Sequence, residues 1–333
     1  MKLNPIFHSH MVFAAHQPIR IYGEGEGRAE ITFAGETRTV ESHGDFWLLE
    51  FPPMEKGGPY TAEILLNGTP VTLTDVYVGE VYLMAGQSNM QFKLNESNTP
   101  QELYESEPRL RMFSTHRIEK SDRFTPEDGW VIAEKDNVGD WTALGYLIGK
   151  ERARSHDTPV GIITAYQGAS AIESWLPAGI LAANGISLPL DKRHVDHTHG
   201  IYGQWNGDGV LYQYALTQIF PFSLSAVVWY QGESDTTEAE GTIYHEELTL
   251  FIETLRKDFR QPDLPVAVIV IADFDPRNDD GWHLVQEAQK RVGETVPHTA
   301  AIPCADICEK DQIHPPTKTL LASRVATVLD TLL

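Results

Sequence analysis

The spacing of turn residues changes once along this chain, at Gly79, and that change limits the folds open to it. Between Pro18 and Gly79, short β-favouring runs recur at residues 19–22, 29–34, 46–51, 60–66 and 71–78, each closed by a glycine- or proline-rich stop. Asn67-Gly68 is the sharpest of these stops, because both residues tolerate the positive φ that a two-residue hairpin needs. Residues 1–79 are therefore read as a small antiparallel β-sandwich. After Gly79 the apolar runs lie at 81–85, 110–113, 160–166, 226–230, 266–272 and 300–303, with polar loops and helical stretches between them. A strand without polar alternation has to be covered on both faces, which is the pattern of an α/β domain with a mainly parallel sheet. In 244–259, Tyr244, Leu248, Phe251, Ile252, Leu255 and Phe259 share one helical face. A last helix is expected from Pro316, with Leu320, Leu321, Val325, Val328, Leu329 and Leu332 as its apolar stripe. Residues 80–333 form this second domain.

Charge and composition remove several functions. Lys+Arg 26 against Asp+Glu 47 give a net charge of −21, the wrong sign for tracking phosphates or clamping an anionic membrane. The longest apolar run, 266–272, falls far short of the roughly 20 residues that cross a bilayer. The first fifteen residues carry one lysine, and their apolar stretch is interrupted by Asn4, Pro5, His8, Ser9 and His10. That is no signal-peptide core, so the chain reads as soluble and cytoplasmic. Cys304 and Cys308 stand four apart; in an extended segment their Cα atoms would be about 13 Å apart, too far for a disulfide. They are expected to be two small thiols, buried or half-buried. Residues 178–209 lack clear periodicity and read as a long loop over the sheet. Within it Asp191, His194, Asp196, His197 and His199 have the chemistry of metal ligands but match no ligand spacing, so a polar loop is the simpler reading.

Chemistry is expected where polar loops follow strands, since the carboxyl edge of an open α/β sheet is where ligands bind. Three loops qualify. Gly86-Gln87-Ser88-Asn89-Met90 follows the first buried strand, and a serine on such a turn presents its Oγ at the sheet edge. Tyr230-Gln231-Gly232-Glu233-Ser234-Asp235 follows 226–230. Asp311-Gln312-Ile313-His314-Pro315-Pro316 precedes the last helix, and a carboxylate three residues from an imidazole in a turn can orient its Nδ1. Each loop alone would also serve as a helix entry; a nucleophile, an oriented base and two donor loops together are much rarer.

In this order, Gly86-Gln87-Ser88-Asn89-Met90, Tyr230-Gln231-Gly232-Glu233-Ser234 and Asp311-x-x-His314-Pro315 resemble the SGNH (GDSL-like) hydrolases, and within them the branch of sialate O-acetylesterases and other carbohydrate acetylesterases. Gly57-Gly58-Pro59-Tyr60, residues 75–81 and Ile172-Glu173-Ser174-Trp175 fit the same branch. The resemblance implies a three-layer α/β/α hydrolase domain behind a small β-domain, and an esterase that needs neither metal nor organic cofactor. It implies Ser88 as nucleophile, His314 as general base and acid, and Asp311 as the residue orienting His314. It also implies an oxyanion hole of the Ser88 and Gly168 N–H groups with the Gln231 amide as third donor, where most of the superfamily has asparagine. Glu233 receives no role, beyond being a rival to Asp311 for the histidine. The implied substrate is an acetylated sugar, 9-O-acetyl sialic acid first and acetylxylan second. An anionic sialate would need local cations against a charge of −21, and Lys93 and Arg277 stand at the correct sheet edge; Trp175 is a further candidate for sugar contact. The competing reading from another class is a non-catalytic carbohydrate-binding protein that stacks sugars on Trp47, Trp130, Trp175, Trp205 or Trp282.

Overall fold

The computed structural model describes residues 1–118, 123–189, 192–193 and 200–333. Its longest strand is β8, Thr69–Gly86, 18 residues that pass straight through the position where the sequence changes rhythm. The N-terminal part is two facing sheets. One is antiparallel, β1 (Lys2–Leu3), β3 (Ile19–Glu24) and β6 (Phe46–Phe51) in that order. The other pairs β5 (Glu36–Ser42) with β4 (Gly27–Phe33), β4 with β7 (Gly57–Leu66), and β7 with the first half of β8, while β2 (Val12–Ala14) lies parallel to β8. The period-2 alternation of β4 turns Ala29, Ile31 and Phe33 inward. Phe33 meets Phe13 and Phe51 edge-on, at 5.5 and 6.1 Å.

The second half of β8 belongs to the parallel sheet, whose order is β10 (Val131–Ala133), β9 (Glu107–Ser114), β11 (Val160–Tyr166), β8, β12 (Ala226–Tyr230), β13 (Val266–Ile269) and β14 (Thr299–Ile302). Only β10 runs antiparallel to its neighbour. β11 and β12 are buried along their whole length, as their uninterrupted apolar runs require. After the single turn α1 (Ser88–Gln91), the helices α2 (Ala143–Ser155), α4 (Glu238–Asp258), α5 (Asp280–Thr295) and α6 (Thr319–Leu332) cover the sheet, α2 packing with α6 and α4 with α5. The short α3 (Ile180–Ala183) sits in the long loop after β11. Among the described residues no helix is long and apolar enough to cross a membrane.

Two expectations change. The separate strands 71–78 and 81–85 are one strand, and Gly79 is not a break in it. A Cβ at Gly79 would lie 2.0 Å from the Pro159 carbonyl oxygen, so the glycine records the close passage of a neighbouring chain segment, which sequence alone cannot distinguish from a turn. The 304–308 segment is not extended either: the Cys308 N–H donates to the Cys304 carbonyl at 3.1 Å, so the chain folds back and the 13 Å separation does not apply. Both thiols are free, Cys304 buried and Cys308 half-buried. Asp191, His194, Asp196, His197 and His199 lie outside the described residues.

The two parts are packed against each other over a common core. Phe222 stacks on Phe13 at 5.8 Å and lies 6.0 Å from Phe7 and 6.3 Å from Trp130. The buried Arg20 guanidinium donates to the Phe259 and Arg260 carbonyls, and Tyr22 Oη to the Ile219 carbonyl. Phe222→Ala is therefore expected to lower the unfolding free energy by about 3–5 kcal/mol. Both parts should still unfold in one transition, read by urea titration with tryptophan fluorescence and far-UV circular dichroism; two separated transitions would show that the sheets unfold independently.

Candidate active site

Three adjacent strands of the parallel sheet, β11, β8 and β12, end side by side, and the loops that follow them carry Gly168, Ser88 and Gln231. The strand order reverses at β8, with β11 on one side and β12 on the other, so the crevice expected at a topological switch point opens over Ser88. Gly86 closes β8 at φ 141°, and an added Cβ would lie 2.0 Å from the Tyr230 carbonyl oxygen. Only glycine lets the chain turn there against β12 and start α1 with Ser88 at its first position.

His314 arrives from the loop between β14 and α6. Its Nε2 lies 2.8 Å from Ser88 Oγ, a hydrogen bond between residues 226 apart in sequence. The imidazole is half-buried, with the Phe92 ring 6.0 Å away. Burial, and then the positive charge of Lys318, hold its pKa below the ordinary histidine value; Glu96 acts weakly the other way. A histidine neutral at physiological pH and bonded through Nε2 to a serine hydroxyl is placed to take that proton. The pair opens into a pocket of about 390 Å³. Gln87, Gln91, Gly168 and Glu233 form its polar wall, and Ile201, Tyr202 and Trp205 an apolar one.

Gly168 stands across from Ser88, where the sequence placed it, and its N–H donates to Gln91 Oε1 at 3.1 Å. Two residues are not brought to the reacting atoms. Gln231 is fully buried behind the pocket: its Nε2 donates to the Ser170 carbonyl at 2.8 Å and to Asp235 Oδ2 at 2.5 Å, and its Oε1 accepts from Tyr244 Oη at 2.7 Å. An amide with both ends engaged by buried groups has no donor left for an oxyanion, and Glu233 and Ser234 are the residues of that loop that reach the pocket. Asp311 is exposed, and among the described residues no carboxylate hydrogen-bonds His314; the turn places the Asp311 carboxyl at the surface, not behind the imidazole.

The proposed sugar contacts divide in the same way. Arg277 lines the pocket, its Nη2 donating to Thr236 Oγ1 at 2.6 Å and its guanidinium 5.8 Å from the Trp282 ring. Lys93 lies outside the pocket wall and pairs with Asp140 at 3.7 Å. Trp175 is a core residue, edge-on to Trp229 and donating from Nε1 to Ser170 Oγ. Trp47, Trp130 and Trp282 are core residues too; of the five tryptophans only Trp205 lines the pocket.

Sequence reasoning missed four residues around Ser88. Gln87 Oε1 accepts from the Gly232 and Ser234 N–H groups, tying the turn to the loop after β12. Gln91 holds Gly168, and Asn89 and Lys318 form a buried set with Glu233. The glutamines did carry a signal: at i and i+4 they fall on one side of a helical turn that begins with the serine. Among the described residues no cluster of three or more His, Cys, Asp or Glu side chains could hold a metal ion.

Known proteins resemble this chain. A family model described as carbohydrate esterase, sialic acid-specific acetylesterase, matches residues 78–328. The sialate O-acetylesterase of Homo sapiens is 27% identical over 335 residues, covering 88% of this chain and 62% of its own length. That of Mus musculus is 24% identical over 354 residues, covering 88% and 64%. This chain thus spans less than two thirds of those relatives. The crystal structure of a carbohydrate acetylesterase from Xanthomonas citri superposes with a TM-score of 0.85 at 26% identity, over 99% of this chain and 75% of that one. The matched region contains all three strand ends, Ser88 and His314, and the chain belongs to the sialic acid-specific acetylesterase family of carbohydrate esterases.

Proposed function

We propose that this chain is a serine esterase that removes O-acetyl groups from sugars, and that acetylated sialic acid is its substrate. The observation that carries the reading is the 2.8 Å contact of Ser88 Oγ with His314 Nε2 at the floor of the pocket. Ser88 Oγ attacks the acetyl carbonyl as His314 Nε2 takes its proton; the proton then passes to the sugar oxygen, which leaves. Water repeats the sequence on the acetyl-serine, releasing acetate. The negative oxygen of each tetrahedral intermediate is met by the Ser88 N–H, which has no acceptor among the described residues, and by the Gly168 N–H once the acetyl group displaces Gln91 Oε1. With Gln231 committed to Ser170 and Asp235, these backbone donors act without it. A sugar-binding protein without turnover gains nothing from a serine held on a neutral imidazole.

Arg277 favours the anionic sugar. Among the described residues that line the pocket it is the one permanent cation, and a guanidinium matches the planar carboxylate of a sialic acid. The human and mouse relatives are named sialate O-acetylesterases, which supports the same sugar, and the Xanthomonas one a carbohydrate acetylesterase, which supports the ester chemistry alone. Acetylated xylan, a neutral substrate, would make no use of that charge.

Ser88→Ala is expected to keep the fold and lower kcat on p-nitrophenyl acetate by about 10⁴–10⁶; retention of more than about a hundredth of the activity would rule Ser88 out as nucleophile. Because His314 must be neutral to act and its pKa is held below the ordinary histidine value, the acid limb of kcat/KM should be centred below pH 6.5. A limb centred above 6.5 would contradict a base buried in this way. Arg277→Ala should raise KM for acetylated sialic acid about tenfold and leave acetylated xylo-oligosaccharides unaffected. Equal effects on both, with the xylo-oligosaccharide the better substrate of the wild type, would move the assignment to xylan.

A further inference from the structure

The buried set of Asn89, Glu233 and Lys318 lies directly beside the Ser88–His314 pair and takes no part in the acyl transfer above. Asn89 follows the nucleophile and is 2% exposed. Its Oδ1 accepts from Lys318 Nζ at 2.9 Å, and its Nδ2 donates to Glu233 Oε1 at 2.6 Å and to the Ile313 carbonyl at 2.9 Å. The direction of this amide follows from its partners, since a backbone carbonyl only accepts and an ammonium only donates. One side chain therefore joins three elements: the loop after β12, the loop holding His314, and the entry to α6.

Lys318 is fully buried; among the described residues its ammonium donates to Asn89, faces the Phe92 and Tyr230 rings at 5.0 and 5.5 Å, and lies in the field of Glu233 and Glu309. Burial pushes its pKa down to about 8, so the ammonium form still dominates at neutral pH. Glu233 is buried as well, and its Oε2 has no hydrogen-bond partner. Desolvating an ammonium and a carboxylate generally costs as much as their attraction returns, and apolar side chains of like volume commonly fill such a space without loss. Stability does not explain why this space holds charges.

We propose that Lys318 is a positioning residue for the esterase reaction: through Asn89 it holds the His314 loop against the Ser88 turn, and it places a positive charge near the imidazole, the Phe92 ring being close to both. The inference rests on the esterase reading of the same pocket. A cation at that place opposes imidazolium formation, so the resting base is ready to accept the Ser88 proton, and Asn89 fixes the peptide preceding His314 so that Nε2 stays in line with Oγ. The other charged groups about His314 are Glu96, Glu233 across the pocket, and Arg277 on its wall. Asp311 and Glu309 stand in its own loop, Glu309 accepting from Thr317, and Cys304 and Cys308 lie on the Lys318 side.

The test compares Lys318→Met and Lys318→Arg with the wild type in p-nitrophenyl acetate turnover across pH, and follows the His314 imidazole by NMR titration, its signal assigned by loss in His314→Gln. In Lys318→Met the acid limb of kcat/KM and the imidazole titration should both move to higher pH, with kcat down about tenfold or more and KM within twofold; Lys318→Arg should restore the limb. Asn89→Asp, which turns two donors into acceptors, supplies an independent variant and should lose at least tenfold in kcat at unchanged KM. An acid limb and imidazole titration in Lys318→Met that coincide with the wild type, or full activity in Asn89→Asp, would overturn the proposal. Absence of Ser88-dependent turnover in the wild type would instead count against the esterase reading, and the imidazole titration would still decide the role of Lys318.

Discussion

The rest of the molecule depends on the hydrogen-bonding of one strand, β8, on two different sheets. Its first ten residues pair with β7 in the N-terminal sandwich, where residues 77–79 also pair with β2, and its last seven are the centre of the parallel sheet, so one strand carries both ladders. That continuity sets the direction in which Gly86 leaves the sheet. The close approach of Gly86 to the Tyr230 carbonyl then decides where Ser88 stands relative to the loop after β12. The N-terminal part is thus mechanically part of the site, though it contributes no residue to the pocket wall. Phe222, Arg20 and Trp130 extend the same coupling through packing and buried hydrogen bonds.

Around the reacting pair the chemistry is governed by what has been removed from water. Burial lowers the pKa of His314 and that of Lys318 while raising that of Glu233, each shift favouring the uncharged form. The effects do not cancel. Lys318 remains mostly charged at neutral pH and so adds to the burial of His314 in the same sense. Among the described residues no carboxylate hydrogen-bonds the imidazole, and the loop that carries it is tied by the Asn89 amide on the Ile313 carbonyl, which adds no negative charge. A base held in this way is weaker but neutral at lower pH, a different balance from that of a histidine paired with aspartate.

Net charge and local charge also pull in opposite directions. A protein of net charge −21 repels anions at long range, but salt screens that repulsion beyond about 8–10 Å, so it governs the rate of encounter more than the strength of binding. A single guanidinium in the pocket wall acts inside that distance. Arg277 is braced by Thr236 and the Trp282 ring, which limits the entropy lost when it meets a carboxylate.

Local pattern determined the kinds of element, the switch from sandwich to parallel sheet, and the loops that carry Ser88 and His314, because strand and helix periods and turn chemistry act over a few neighbouring residues; Gly168 came from the family resemblance. The sequence also drew attention to Glu233 without a role, and put Arg277 and Lys93 at the sheet edge, of which Arg277 lines the pocket. What only the tertiary structure decided is where side chains point at the ends of those loops. Gln231 follows its strand as an oxyanion donor would, yet Ser170 and Tyr244, from two other segments, and Asp235, four residues on in the same loop, turn its amide into the core. Asp311 has the right spacing from His314, but a turn of four residues leaves its carboxyl free to face solvent. Gly79 reads as a stop and is a close contact with Pro159, while Asn89 and Lys318, 229 residues apart, read as nothing until the fold closes them on each other. The direction of a polar side chain is set by which buried partners must be satisfied, and those partners are distant in sequence.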